Sequence, residues 1–176
     1  MTTDHSLDWV SAQTMLLADK RLRASFRTDP VAIARELKIR PPEIALFVAM
    51  NPDQLDAQAD ILVQKRFHEV GKWLPLTFNA LGEQAGIEFI AYSATFWPES
   101  HRRHLLDAAR FARHLKERNC GGLVASEHNW VEFMLRPKKM RVRPVILPRP
   151  KGKKRPAVQI MTRFGGRPTQ RFLFLA

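Results

Sequence analysis

Apolar residues in this chain keep two different periods. From residue 7 to about residue 135 they recur every three or four positions, the spacing that lines one face of a helix. After Met140 they alternate: in MRVRPVI, Met140, Val142 and Ile146 lie on one side of Arg141 and Arg143, the pattern of a half-exposed strand. Several helix starts carry the same device, a cap residue followed by proline at the first helical position. Asp29-Pro30 opens VAIARELKI, Asn51-Pro52 opens DQLDAQADILVQKRFHEVGKW, and Pro41-Pro42 opens EIALFVAM. Trp97-Pro98 precedes a helix expected over about 98–118, with Leu105, Ala108, Ala109, Ala112 and Leu115 as its buried stripe. Its end is expected at Asn119 to Gly122, with a glycine in the left-handed cap conformation. GLVASEHNWVEFML then forms a further short helix.

Three short antiparallel strands are expected, at about 140–147, 156–163 and 170–175. LPRPKGKKRP becomes the first hairpin's loop, and FGGRPTQ the second turn. The predicted fold class is α+β: a mostly α-helical region over 1–136, then a small three-stranded antiparallel sheet over 137–176 packed on or beside the helices. The boundary falls at RPKK, 136–139.

Charge changes the picture. The formal net charge is +12, and residues 119–176 hold 13 Lys/Arg against 2 Asp/Glu. A field so concentrated attracts an anionic partner, whether nucleic acid, an acidic protein surface or an acidic peptide. Lys153, Lys154 and Arg155 cluster in the hairpin loop, and Arg163, Arg167 and Arg171 flank Phe164, Phe172 and Phe174. These six cations are the candidate anion-binding residues. A basic sheet with open aromatics would stack bases and hold phosphates; the simpler reading packs Phe172 and Phe174 onto the helices and leaves the cations in water. Phe172 and Phe174 share one face, Leu173 and Leu175 the other, and one face must find a cover. No recognised nucleic-acid-binding motif supports the first reading.

Catalytic and metal patterns are weak. His101, His104 and Asp107 fall at three-residue steps on one helix face, but no HExxH pattern and no second ligand cluster accompany them. A partner-facing helix edge explains His101 and His104 as well. Cys120 is the lone cysteine, expected at a helix C-terminus, where a thiolate is not favoured. Ser126-Glu127-His128 is adjacent in sequence, whereas catalytic triads are assembled in space. Trp73, Leu74, Leu76 and Phe78 form an apolar patch interrupted by Pro75, read as a kink in the core or as a partner surface. Trp73, Phe78, Trp97, His101 and His104 are the partner-interface candidates. No secretory signal and no membrane-length apolar run are present, and a single cysteine fits a reducing cytoplasm, so a cytoplasmic location without membrane contact is expected.

The helical part resembles a known family. KR-x-x-E-V at 65–70, LP-x-T at 74–77, LG at 81–82 and H-x-x-DA-x-x-F at 104–111 resemble the MbnC-like helical partner domains of multinuclear non-haem iron-dependent oxidative enzymes, over about residues 15–115. The resemblance implies an accessory subunit of a system that modifies cysteines in a ribosomally made precursor peptide. The iron is expected in the partner enzyme, with no cofactor and no catalytic residue in this chain. It also implies that the chain helps hold the peptide's leader, with Arg163, Arg167 or Arg171 meeting acidic residues on a strand added to the sheet. The competing expectation is a basic nucleic-acid-binding or regulatory module; a stand-alone metal enzyme using His101, His104 and Asp107 comes third.

Overall fold

The computed structural model describes residues 6–99, 101–148 and 153–175. The chain divides into two compact units, with the division falling inside one long helix at residues 65 and 66.

In the first unit, side-chain oxygens start every α-helix except the short one at Ile44–Val48. Asp8 accepts from the Ser11 N–H at α1 (Trp9–Ala18), Asp19 from Arg21 and Leu22 at α2 (Lys20–Thr28), and Asp29 from Ala32 at α3 (Pro30–Glu36). Pro41–Glu43 makes a 3-10 turn into α4 (Ile44–Val48). The Asn51 side chain accepts from Asp53 and Gln54 at the start of α5 (Pro52–Trp73). Leu16, Phe26, Ile33, Phe47 and Leu55 fill the core, with the Phe26 and Phe47 rings edge to face at 5.1 Å. Arg23 binds Asp56 at 2.8 Å.

The second unit begins at Arg66, late in α5. Pro75 ends that helix and occupies the first position of α6 (Pro75–Leu81). There follow α7 (Gln84–Ser93), α8 (Arg103–Glu117) and α9 (Ala125–Leu135), then β1 (Met140–Pro148), β2 (Lys154–Phe164) and β3 (Arg167–Phe174). The sheet is antiparallel, in the order β1-β2-β3, and α9 lies against β1 and β2. The sheet therefore shares its unit with α6 to α9. The fold is α+β, with nine α-helices and one three-stranded sheet among the described residues. Phe67, Phe78, Phe89, Tyr92 and Phe111 form an aromatic core, with ring centroids 4.9–6.0 Å apart. Leu105, Ala108, Ala109, Ala112 and Leu115 are all buried, as the helical period predicts.

Four details differ from expectation. Helix α8 starts at Arg103, not near residue 98. The preceding segment is tied to Arg66 instead, which donates to the Phe96 carbonyl and lies 5.1 Å from the Trp97 ring. At the end of α8 the left-handed residue is Asn119, with φ of 53°, and no glycine takes that role. Gly122 serves close packing: a Cβ there would fall 2.5 Å from Leu81 Cδ2. The second turn is only Gly165-Gly166, with φ of 57° and 78°, so RPTQ belongs to β3. Of the expected first hairpin loop, Leu147 and Pro148 belong to β1 and Lys154, Arg155 and Pro156 to β2, while residues 149–152 lie outside the described residues.

Candidate functional site

Cross-strand partners point to the same face of a sheet. Val145, Ala157, Gln159 and Met161 are buried under α9, so Arg141, Arg143, Arg155, Arg163 and Phe172, which share their face by register, also lie on the helix side. Met140, Val142, Pro144 and Ile146 of β1, Val158 and Ile160 of β2 and Leu173 of β3 lie on the open side. The open face carries an apolar row, with Met140, Val142, Ile146 and Leu173 46–61% exposed, and by register it also carries Lys154, Arg167 and Arg171. The Leu173 and Leu175 side of β3 finds no cover within the described residues.

The ladder also separates the two sheet edges. In an antiparallel pair, residues bond alternately toward the partner strand and away from it. The Arg163 N–H donates to the Lys139 carbonyl and the Leu175 N–H to that of Pro156. Continuing this parity along the register, the even-numbered residues of β1 and β3 point their backbone groups outward. On β1 these include Pro144 and Pro148, which have no N–H, so this edge is interrupted at its centre. On β3, Gln170, Phe172 and Phe174 offer three successive outward N–H groups, and among the described residues none has a partner.

A groove of about 530 Å³ adjoins that β3 edge on the helix side. Its walls include Lys72, Trp73, Trp130, Leu147, Gln170 and Phe172. Buried Gln159 braces the groove from below, donating to the Ser126 carbonyl at 2.8 Å and the Gln170 side chain at 3.1 Å. Glu127 fixes one wall by accepting from the Leu76 and Thr77 N–H groups at 2.7 and 2.8 Å, which caps α6.

The six candidate cations divide. Arg163 is committed within the chain: it donates to the carbonyls of Phe133, Met134 and Arg136 and stacks on the Phe133 ring, closing the C-terminus of α9. It is therefore corrected from a partner contact to a helix cap. Arg155 lies 4.2 Å over the ring of half-exposed Phe174. Arg167, Arg171, Lys153 and Lys154 are exposed.

The partner-interface candidates also divide. Trp73 lines the groove beside β3. Phe78 packs against Phe67 and Phe111 and belongs to the core, and Trp97 is engaged by Arg66. His101 is exposed and His104 half-buried, whereas Asp107 of the same spacing is fully buried. Its carboxylate takes the Arg66 Nε and Nη2 donors, each at 2.9 Å, and the Tyr92 hydroxyl at 2.7 Å. The three therefore do not converge, and no cluster of three or more possible metal-ligating residues occurs among the described residues. Burial, then the Glu88 carboxylate, pushes the Cys120 thiol up, away from thiolate. Ser126, Glu127 and His128 serve separate purposes, His128 facing a basic groove on the β1 side.

Sequence reasoning had no signal for Trp130, Gln159 or that basic groove, since each depends on where α9 crosses the sheet. A family model described as SCO6045-like, C-terminal domain, matches residues 48–117. No curated protein and no solved structure matches the chain. The matched stretch runs from the end of α4 through α8. It contains Arg66, Tyr92 and Asp107 and stops before the sheet. No helix among the described residues is long and apolar enough to cross a membrane.

Proposed function

We propose that this chain is a non-catalytic partner subunit of a multinuclear non-haem iron oxidative enzyme and holds an extended segment of a ribosomally made precursor peptide along β3. The observation that carries this reading is the β3 edge: three successive N–H groups, unpartnered among the described residues, beside a groove lined by Trp73, Trp130 and Phe172. An added strand gains affinity from backbone bonds, and its alternate side chains enter the adjoining groove. Arg155, Arg167, Arg171 and Lys72 lie around that edge and favour a peptide carrying acidic residues. The resemblance of 65–70, 74–77, 81–82 and 104–111 to MbnC-like partner domains supports the same class. The open apolar face is the seat for the enzyme subunit, since an exposed apolar row of this kind marks a protein contact.

The test is capture of the tagged chain from its native host, with nuclease treatment and a wash at about 200 mM salt, where most phosphate-driven contacts are lost. A stoichiometric iron-containing protein, identified by mass spectrometry and metal analysis, is the expected result. Recovery of the chain alone, with nucleic acid present only in a low-salt untreated control, would overturn the proposal in favour of a nucleic-acid-binding module.

A further inference from the structure

The side of the sheet away from β3 carries a second, chemically different feature. Between α8, α9 and β1 lies an open groove of about 780 Å³, within the size range of small-molecule sites. Its walls carry five cations, Arg113, Lys116, Arg136, Arg141 and Arg143, against two carboxylates, Glu117 and Glu132. Glu132 is already taken, by Arg113 at 2.9 Å and Arg136 at 3.1 Å.

Arg141 and Arg143 are the informative pair. They stand two residues apart on one strand face, about 6.6 Å along the strand, pointing to the helix side. Neither side chain has a hydrogen-bond or ion-pair partner among the described residues. Arg141 is half-buried, and its charge is disfavoured by burial and by Arg143 and Arg136 beside it, with Glu132 opposing them. A partly buried guanidinium is normally held by an anion or a carbonyl, because desolvation without a partner is costly. Here the chain places two side by side, and the one acid whose field favours the Arg141 charge, Glu132, is already paired with Arg113 and Arg136. Arg143 is exposed, and Arg141 is the half-buried member of the pair.

We infer that this groove binds a phosphate group, with Arg141 and Arg143 as its principal ligands and Lys116 and Asn129 completing the wall. Two guanidinium forks and an amide suit the several oxygens of a phosphate or diphosphate, and the groove's net charge of +3 from these side chains matches a diphosphate better than a single carboxylate. No phenyl or indole ring lines it, so the phosphate and not a stacked base is what it recognises. The two possible sources of that chemistry, a small phosphorylated ligand and a nucleic-acid backbone, are separable by experiment.

His128 gives the site an internal reporter. Burial lowers its pKa, Lys116 and Arg113 from α8 and Arg141 from β1 lower it further, and Glu132 opposes them. A bound anion offsets those cations and raises the pKa, so binding takes up a proton and tightens as pH falls.

The experiment measures binding of sodium pyrophosphate to the whole chain by calorimetry at about 50 mM salt, with a ten-residue oligothymidylate as the second arm. The inference expects saturable pyrophosphate binding that weakens at least tenfold in Arg141→Gln/Arg143→Gln and in Lys116→Gln/Arg143→Gln. The charge-matched control Lys20→Gln/Arg21→Gln should bind like the parent. The His128 imidazole resonance should titrate at higher pH when the ligand is bound. If the oligonucleotide binds at least a hundredfold more tightly and is lost in the same variants, the phosphate comes from nucleic acid; if it does not, the ligand is small. Absence of pyrophosphate and oligonucleotide binding, or equal weakening in the control, would overturn the inference. Circular dichroism of each variant confirms the fold, and the two groove variants share only Arg143, so loss of folding in one leaves the other decisive. The result is independent of whether a peptide docks on β3.

Discussion

Replacing Asp107 by alanine should be among the most damaging single changes in the 66–175 unit. Asp107 is fully buried, takes two donors from Arg66 at 2.9 Å each, and accepts from Tyr92 at 2.7 Å. Arg66 is itself 6% exposed, and one of its terminal nitrogens, Nη1, has no hydrogen-bond partner. Removing the carboxylate strands a buried cation whose remaining hydrogen bond is to the Phe96 carbonyl. Breaking a buried pair from one side costs about 3–5 kcal/mol. For a chain of this size that corresponds to a drop in Tm of roughly 6–20 °C. Thermal and urea unfolding followed by circular dichroism measure the loss. The same reasoning expects a triple variant, Arg66→Met, Asp107→Leu and Tyr92→Phe, to recover most of it, because the apolar set leaves no charge or hydroxyl unpaired. A loss below about 1 kcal/mol for Asp107→Ala would refute the reasoning. So would a wild-type Tm that rises with added iron or zinc and an Asp107→Ala Tm that does not, for Asp107 would then be a metal ligand.

Further predictions concern packing, capping and pH. Glu127→Ala should cost about 2 kcal/mol in urea unfolding, since it strips two charge-assisted bonds from the start of α6. Gly122→Ala should cost about 1–3 kcal/mol, because the new methyl meets Leu81 Cγ at 2.6 Å, whereas Gly121→Ala, with nothing within 4 Å, should be close to neutral. For Glu88, burial raises the carboxyl pKa, but Gln84, Arg118 and His114 outweigh it and leave it below the ordinary 4.5. Its folded value is depressed, so its contribution to stability is present above pH 4.5 and lost as pH falls through the lower folded value. Glu88→Gln should flatten that part of the stability-versus-pH curve.

Local rules were enough where the chain speaks to its neighbours. Asp29-Pro30 and Asn51-Pro52 start helices because the cap side chain and the fixed proline φ act within three residues. The α8 stripe is buried as its period requires, and three antiparallel strands form as the alternation predicts, although β2 starts two and β3 three residues earlier than expected. What failed needed a partner distant in sequence. Alternation in MRVRPVI separates Arg141 and Arg143 from Met140, Val142 and Ile146, but only the placement of α9 decides which set is covered. The arginines lie on the covered side, and the groove follows from that. Asp107 has the spacing of a metal ligand with His101 and His104, yet Arg66, 41 residues earlier, claims it. Arg163 looked like a surface cation because the carbonyls it caps belong to α9, about 30 residues before it. The value of Pro144 and Pro148 in blunting one sheet edge became visible only with the ladder register.

The central claim, that β3 receives an extended peptide, is tested most directly by amide hydrogen exchange. Exchange at Gln170, Phe172 and Phe174 should be compared in the isolated chain and in the complex captured from the host with its precursor peptide. The account predicts strong slowing at these three outward amides, with Met140, Val142 and Ile146 on the β1 edge unchanged by the peptide. Exchange at the β3 amides as fast in the complex as in the free chain would contradict it.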